Sequence, residues 1–461
     1  MSTDVAADTS VIKALKRIRM PQNQRNREFW LLLFACAISG AALTLVQLGA
    51  LGVIDPMILA IGGGLAALAF ALHIVLRFVA SDADPFVVPI ATLLTGLGIA
   101  MIYRIDIAFK NTGWNAYSTK QLAWTAISLA GAIAVVILLR NYRILFRYTY
   151  IFGLAGILLL LLPFVPGLRI PDANAAVWVS LGGAFAFQPG ELAKICLAIF
   201  FAGYLVRTRE SLTSVGKRVM GITWPRMREL GPVLVVWLIS LGIIVFQRDL
   251  GTGTLIFGMF VAMLYVATGK TSWVLIGLAL VVAGVALATQ ILSYVQGRFI
   301  NWLFLFDADQ VDPDGAGYQP MQGLFGLARG GLMGTGWGQG RPEVTPLAHS
   351  DYIITSLGEE LGLIGLFAIL CLYMVFVSRG MRIGLAGQDD FGKLLATGLS
   401  FTIALQVFIM VGGVTRLIPL TGLTTPFLAA GGSSLVANWL IVALLLRISD
   451  GVRRQPRVVI G

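Results

Sequence analysis

About twelve predominantly apolar stretches follow one another along this chain of 461 residues, and most are long enough to cross a bilayer as a helix. Roughly 20 apolar residues span the hydrocarbon core, because an α-helix rises about 1.5 Å per residue. The composition agrees, since 57% of the residues are hydrophobic and only 12% are charged. Too little polar surface remains to cover a water-soluble fold of this length. The sequence therefore predicts an all-α, polytopic integral membrane protein.

The predicted spans form two groups of six, separated by a basic connector at residues 207–229. In chain order the spans are placed at 29–53, 57–79, 85–103, 121–139, 145–165, 191–206, 232–246, 250–267, 272–295, 352–377, 394–414 and 425–446.

Basic residues are distributed unevenly between the two sides that these spans define. With the N-terminus in the cytoplasm, 24 of the 34 Lys and Arg residues fall in cytoplasmic segments. This bias is the positive-inside signal, so both termini are predicted to be cytoplasmic. Residues 1–28 contain basic side chains but no apolar core, and we interpret them as a cytoplasmic tail and not as a signal peptide. Asp249, at the start of the eighth span, is then predicted to face outward.

One connection, the outer loop at residues 296–350, is longer than a compact connection needs. It contains GYQPMQ, which ends at Gln322, and the glycine-rich GTGWGQG at residues 334–340. Glycine lets a backbone approach a ligand closely, although a simple flexible turn is an equally good interpretation. No strand precedes this stretch and no P-loop lysine follows it, so a nucleotide site is not predicted.

Cysteine and histidine do not indicate a metal centre. The three cysteines lie inside predicted spans without pairing or metal-ligand spacing, and we interpret them as small apolar packing residues. His73 is placed in the core, and His349 alone cannot form a His-rich metal site.

Ionisable residues gather at the outer ends of several spans, where burying a charge is costly and therefore indicates function. Glu191 and Lys194 are three residues apart, so they share a helix face and can pair. A structural ion pair and a direct role in the reaction both remain open for them. Asp249 could act in catalysis, cap its own helix, or pair with Arg248. A third acidic group follows in HSDYIITSLGEELGLIG.

Five motifs stand in the order and approximate spacing of one membrane family. They are FQPGELAK, FQRDLGTG, GYQPMQ, GEELGLIG and PLTGLTTPFLAAGGSS. The chain resembles the SEDS family (shape, elongation, division and sporulation), and PLTG and TPFL are closer to its RodA branch than to FtsW. The resemblance implies a core of ten spans that polymerises lipid II into glycan strands on the outer face of the cytoplasmic membrane. It divides the chain into a tail (1–28), two additional helices (29–84), the core (85–447) and a second tail (448–461).

The resemblance also implies roles for individual residues. Asp249 aligns with an aspartate that the family uses in catalysis, although Arg248 replaces a proline before it. The family tryptophan corresponds to Trp178, Arg416 stands where glycine is usual, and Ala430 replaces a tyrosine. The remaining residues assigned to substrate binding are Glu191, Lys194, Arg298, Gln322 and Ser433.

The implied reaction transfers a glycosyl group from a pyrophosphate leaving group to a sugar hydroxyl. Asp249 would be the general base, while outer cations would stabilise the departing charge. Arg298, Arg329, Lys194 and Arg416 are available for this work, and Mg²⁺ or Mn²⁺ could share it. No organic cofactor or nucleic acid is expected.

The implied partner is a single-pass class B penicillin-binding transpeptidase. Two other functions stay open at this stage. A flippase could carry lipid II through a path lined by the same charges, although no inverted repeat is evident. A non-catalytic scaffold would tolerate loss of Asp249. A division-type polymerase is the alternative within the family.

Overall fold

The computed structural model describes residues 22–168, 176–181, 185–212, 218–219, 222–223, 230–307 and 317–454. The outermost parts of both predicted tails and most of the basic connector lie outside these ranges.

Helices make up nearly all of the described architecture. In chain order they are α1 (Gln22–Leu51), α2 (Met57–Val79), α3 (Val87–Phe109), α4 (Tyr117–Leu138), α5 (Ile144–Arg147), α6 (Thr149–Leu161), α7 (Pro189–Leu212), α8 (Gly231–Gly242), α9 (Leu250–Thr268), α10 (Thr271–Ile291), α11 (Ser293–Leu303), α12 (Tyr318–Gly330), α13 (Ile353–Ala386), α14 (Asp390–Val414) and α15 (Gly432–Arg454). Short antiparallel hairpins pair β1 (Val179–Leu181) with β2 (Phe185–Phe187) and β3 (Arg218–Val219) with β4 (Ile222–Thr223).

The prediction of an all-α membrane protein is confirmed. Within the described ranges, ten helices are long and apolar enough to cross a membrane. Helices α6 and α8, each continued by a short helical turn, form two shorter apolar helices, Thr149–Phe164 and Gly231–Gln247. They coincide with the remaining predicted spans. Large hydrophobic side chains remain exposed around the bundle, including Phe78, Leu138 and Phe246. A lipid-facing surface of this kind is what a membrane bundle requires.

Several predicted boundaries differ from the structure, and two of the differences lie near the site. The last span was expected to begin at residue 425, but α15 begins at Gly432. The sequence TTPFLAAG before it is apolar yet forms a folded connection, in which Phe427 has a left-handed φ of 64° that a right-handed helix does not allow. The long loop at 296–350 was expected to be largely non-helical, but it contains α11 and α12.

The helices alternate in direction, which sorts their termini into two ends of the bundle. One end, which we call the site end, carries the starts of α4, α7, α9, α13 and α15, together with α11 and α12. The other, which we call the terminal end, carries the first residue of α1 and the last residue of α15. Five helices, α3, α7, α9, α14 and α15, are the most buried of the membrane-length helices. They form the centre, and α1, α2, α4 and α10 lie toward the outside.

Charged side chains join several helices at the terminal end. Arg453 of α15 lies 2.7 Å from a carboxylate oxygen of Asp84, and Arg379 of α13 donates to the same carboxylate through Nε at 3.0 Å. Arg453 also donates to the side-chain oxygen of Gln24 in α1 at 2.5 Å. Because Asp84 is almost completely buried, this paired network fixes the loop between α2 and α3 against α13 and α15.

Candidate active site

All eight site residues predicted from the sequence lie at the site end. Asp249 precedes α9, Glu191 and Lys194 lie in the first turns of α7, and Ser433 lies in the first turn of α15. The others are Trp178 beside β1, Arg298 in α11, Gln322 in α12 and Arg416 after α14.

Asp249 caps the N-terminus of α9. Its Oδ1 accepts a hydrogen bond from the Thr252 N–H at 2.9 Å, which satisfies one of the free donors of that helix. The preceding Arg248 has φ of 57°, a left-handed conformation that turns the chain sharply between two helices. The structure therefore confirms that Asp249 caps its own helix, one of the interpretations that the sequence left open. A role for Asp249 in catalysis stays a prediction.

Burial is the dominant influence on the Asp249 carboxylate. It raises the pKa of this group, while the hydrogen bonds from Thr252 and the charge of Arg298 act in the opposite direction. Glu191 adds a smaller increase through like-charge repulsion. Asp249 thus shares one electrostatic environment with residues from α7 and α11, which are distant in the sequence.

A second carboxylate, Asp351, lies in the field of the same arginine. Burial raises the pKa of Asp351 to about 6, with opposing contributions from Arg298 and from the Ser350 side chain. The residue stands two positions before α13, and its side chain is partly exposed. A carboxylate with a pKa near 6 is well suited to accept a proton near neutral pH.

Arg298 is the cation shared by these two carboxylates. Its Nη1 donates to the Leu420 carbonyl oxygen at 2.6 Å, which fixes the guanidinium against the segment between α14 and α15. Arg298 also borders a cavity of about 110 Å³ at the site end. Other residues lining that cavity are Asn301, Trp302, Gln319, Arg416 and Leu420.

Arg416 has a largely structural set of contacts. Its Nη2 donates to the Trp302 carbonyl oxygen at 2.6 Å, and Trp302 Nε1 donates to the Arg416 carbonyl oxygen at 2.9 Å. Its guanidinium also lies 5.3 Å from the ring centre of Phe306. Arg416 has φ of 60°, which explains why glycine would suit this position. These contacts fasten the end of α14 to α11, and its binding of substrate stays a prediction.

Glu191 and Lys194 form the ion pair that their spacing allowed. The Lys194 Nζ lies 2.5 Å from Glu191 Oε2, and both side chains are buried. Lys194 also donates to Gln406 Oε1 at 3.0 Å, while Gln406 Nε2 donates to the Thr424 carbonyl oxygen at 2.8 Å. The pair neutralises two buried charges and connects α7 to α14, so the structural interpretation accounts for its geometry.

The three remaining predicted residues lie around this centre. Ser433 Oγ accepts a hydrogen bond from the Gln188 N–H at 2.8 Å, which joins the starts of α7 and α15. Trp178 is partly buried, and the Ala176 N–H two residues earlier donates to the Gln247 carbonyl oxygen at 3.1 Å. Gln322 is partly buried on α12. Direct substrate contacts by these three residues stay predictions.

Asp351 is one of the acidic residues that the sequence analysis left without an individual role. The signal was present, because HSDY places a carboxylate directly before a long apolar stretch, as FQRD does for Asp249. Its neighbour His349 stacks on the Tyr117 ring at a centroid distance of 4.0 Å, and its carbonyl oxygen accepts from the Ala430 N–H at 2.8 Å. The fold thereby anchors this loop against α4 and the segment before α15.

No cluster of three or more His, Cys, Asp or Glu side chains suited to a metal ion occurs in the described part of the chain. Binding of Mg²⁺ or Mn²⁺ stays a prediction.

The family model for cell cycle proteins of the FtsW, RodA and SpoVE type matches residues 85–454, most of the chain. The chain belongs to this family. It is 45% identical to the peptidoglycan glycosyltransferase RodA of Mycobacterium bovis over 437 residues, covering 94% of this chain and 92% of that protein. Because 94% of this chain is more than residues 85–461 contain, the aligned region must include part of the two N-terminal helices. The family match also agrees with the RodA resemblance recognised from the five motifs.

More distant relatives share the core. Stage V sporulation protein E of Bacillus subtilis is 32% identical, covering 79% of this chain and 96% of its own length. Two solved structures share the fold. One is a peptidoglycan synthase complex that coordinates polymerization and crosslinking, with a TM-score of 0.63, 24% identity, and coverage of 81% of this chain and 99% of the matched chain. The other is the rod shape determining protein RodA of Thermus thermophilus, with a TM-score of 0.55, 22% identity, and coverage of 82% and 100%.

Proposed function

We propose that this protein is a peptidoglycan glycosyltransferase that polymerises lipid II into glycan strands. The activity is the one carried in the name of its RodA relatives at 45% identity. The observation that carries the proposal is the grouping of two burial-perturbed carboxylates, Asp249 and Asp351, around Arg298 at one end of a membrane bundle. Such a group can both accept a proton and hold an anionic substrate.

The reaction needs a base and a site for negative charge. The C4 hydroxyl oxygen of the acceptor GlcNAc attacks the anomeric carbon of the donor MurNAc, and its proton passes to a carboxylate. The bond from that carbon to the pyrophosphate oxygen breaks, releasing undecaprenyl pyrophosphate and inverting the configuration. Because pyrophosphate leaves as an anion, a second carboxyl group is not needed as an acid, unlike in glycoside hydrolysis.

Asp249 and Asp351 both have a pKa that burial raises, and we assign the role of base to Asp351. One oxygen of Asp249 is already bound to the Thr252 N–H as the cap of α9. Asp351 lies outside any helix and has a pKa of about 6, close to the working range of a general base. In this proposal Asp351 takes the proton, and Asp249 is the second carboxyl group in the field of Arg298.

Arg298 and the cavity beside it would receive the pyrophosphate. The cavity is lined by two arginines and by the polar side chains of Asn301 and Gln319. Arginine suits this task because its planar guanidinium can donate two parallel hydrogen bonds to phosphate oxygens. Arg416 would contribute mainly by holding the cavity wall in place, since its own donors are directed at Trp302.

The membrane orientation is part of the proposal. The excess of Lys and Arg on the terminal side supports placing both termini in the cytoplasm and the site end on the outer face of the bacterial cytoplasmic membrane. On that face the product strand would meet a class B penicillin-binding transpeptidase, the partner we propose. The higher identity to RodA than to FtsW relatives, 45% against 32%, favours a role in elongation and cell shape.

The pH dependence of polymerisation should reveal the base. We expect kcat/KM for lipid II to rise with pH through a midpoint near 6, because Asp351 must lose its proton before it can accept another. The sign follows from the raised pKa: the active, ionised form becomes depleted as the pH falls. Between pH 7 and pH 5 the rate constant should fall roughly tenfold. Polymerisation that is constant from pH 5 to pH 8 would contradict this assignment.

Substituting Asp249 separates its capping role from its charge. Asparagine caps helices about as well as aspartate, so Asp249→Asn should melt like the native protein, while Asp249→Ala should lose about 1 kcal/mol of stability. We expect both variants to polymerise lipid II at least about tenfold more slowly, since each removes the carboxyl group beside Arg298. Thermal unfolding and strand synthesis measured together test this. Full activity in Asp249→Asn would reduce Asp249 to a helix cap.

The flippase alternative predicts a different product. A carrier would move lipid II between leaflets of a vesicle without joining its sugars. Purified protein that produces glycan strands in detergent, where no leaflets exist, supports the polymerase. Movement of lipid II across vesicles without strand formation would favour the carrier instead.

A further inference from the structure

The two N-terminal helices precede the part of the chain that the family model matches, and α1 reaches the site end. There it contacts the glycine-rich segment, residues 334–340. Gln339 Nε2 donates to the Gly49 carbonyl oxygen at 2.7 Å. A Cβ atom on Gly49 would lie only 2.0 Å from the Trp337 carbonyl oxygen, and one on Gly338 would lie 2.7 Å from the Ala50 nitrogen. The two backbones are therefore in direct contact, which only glycine permits.

The opposite side of the glycine-rich segment is fastened to α13. Gly338 N–H donates to Glu360 Oε2 at 2.9 Å, and Thr335 N–H donates to the Glu359 carbonyl oxygen at 3.0 Å. These bonds help to satisfy buried carboxylate and carbonyl oxygens of α13. Glu359 and Glu360 therefore hold a loop, which explains two of the acidic residues that the sequence analysis left without a role.

The chain just before the glycine-rich segment also supplies hydrogen-bond acceptors at a break in α13. Gly362 has φ of 67° and interrupts the helix, so the next two N–H groups lose their helical acceptors. Leu363 N–H donates instead to the Gly331 carbonyl oxygen at 3.0 Å, and Ile364 N–H donates to that of Leu332 at 3.2 Å. The chain just before the glycine-rich segment thus completes the hydrogen bonding of a kinked membrane helix.

Arg104 of α3 binds both α13 and the glycine-rich segment. Its Nε donates to Glu360 Oε1 at 3.1 Å, and its Nη2 donates to the Gly340 carbonyl oxygen at 2.7 Å. The first part of α13, residues 353–361, is consequently held between the core and the loop, and nearly all of its side chains are buried. Asp351 lies immediately before this part of α13.

We propose that α1 positions the catalytic carboxylate through the glycine-rich segment. The C-terminal end of α1 contacts residues 337–338 directly. Gly338 is hydrogen-bonded to Glu360 in α13, and α13 in turn sets the position of Asp351. Gly49 and Gln339 are then positioning residues for glycosyl transfer, and the N-terminal helices are a functional addition to the family core. This inference rests on the proposed polymerase function.

A pair of matched glycine substitutions tests the proposal. Gly49→Ala introduces the clashing Cβ, whereas Gly40→Ala on the same helix introduces one that meets nothing within 4 Å. Both changes replace glycine by alanine in α1, and only the change at Gly49 places a Cβ against the loop. Lipid II polymerisation would be measured as kcat and KM, and lipid II binding stoichiometry would report the fraction of folded protein.

We expect kcat to fall about tenfold or more in Gly49→Ala, because small displacements of a catalytic group are costly, while KM stays within about twofold. Gly40→Ala should match the native protein, and Gln339→Ala should show a smaller loss of kcat in the same direction. Native-like kcat in Gly49→Ala would overturn the inference. So would a loss explained entirely by reduced binding stoichiometry, which indicates misfolding. An inactive native protein would instead refute the proposed function.

Discussion

Asp351→Asn should reduce lipid II polymerisation by roughly 10²- to 10⁴-fold, the usual contribution of a positioned general base. The substitution preserves the size of the side chain and removes its ability to accept a proton. Lipid II binding should change much less, because the sugars and pyrophosphate are held by other groups. The measurement is initial-rate strand synthesis by the purified variant, together with its affinity for lipid II.

The matched control for this change is Asp307→Asn, which removes a carboxylate from an exposed position on the same side of the bundle. It should polymerise lipid II like the native protein. The pH dependence supplies a second criterion. The rise of kcat/KM with its midpoint near pH 6 should be absent from any residual activity of Asp351→Asn. Activity within a factor of a few of the native value would remove Asp351 as the base.

Arg298→Ala should have the second largest effect. The guanidinium lies in the cavity wall, and its charge acts on Asp249 and on Asp351. Removing it takes a charge-assisted donor from the leaving group, so we expect kcat/KM to fall by roughly 10²- to 10³-fold. Without this cation both carboxylates should also hold their protons more tightly, and the pH midpoint should move upward.

Two comparisons make the Arg298 result specific. Arg298→Lys keeps the charge but not the planar pair of donors, so its activity should fall between the native protein and Arg298→Ala. Lys110→Gln removes the charge of an exposed lysine at the end of α3, on the same side of the bundle, and it should have little effect on the rate. Equal losses in Arg298→Ala and Lys110→Gln would show that general positive charge, and not a focused site, attracts the substrate.

Much of the fold could be predicted from the sequence because a membrane imposes one dominant requirement on it. Apolar stretches must satisfy their backbone groups internally, so each becomes a helix, and the predicted spans coincide with helices of the structure. The failures occurred where apolarity no longer distinguishes helix from folded connection, as before Gly432. The amphipathic helices α11 and α12 were missed because neither crosses the bundle as an apolar span.

The site was predictable to the level of its helix ends but not of its contacts. The three-residue spacing of Glu191 and Lys194 correctly indicated their ion pair, since that rule is local. The partners of Arg416, Arg298 and Lys194 come from segments more than 100 residues away, at Trp302, Leu420 and Gln406. Only the folded chain reveals which cations are committed to carbonyl oxygens and which border a cavity. The same reason explains why Asp351 and Asp249 could not be recognised as neighbours of one arginine.

The most direct test of the account is strand synthesis from purified lipid II by the purified native chain, with and without a class B transpeptidase, compared with Asp351→Asn in identical detergent. The account predicts glycan strands from the native protein and almost none from the variant, with both proteins binding lipid II. Strands formed equally by both would contradict the assignment of the base. No strands from the native protein, with the transpeptidase and Mg²⁺ or Mn²⁺ present, would contradict the proposal that this protein is a polymerase.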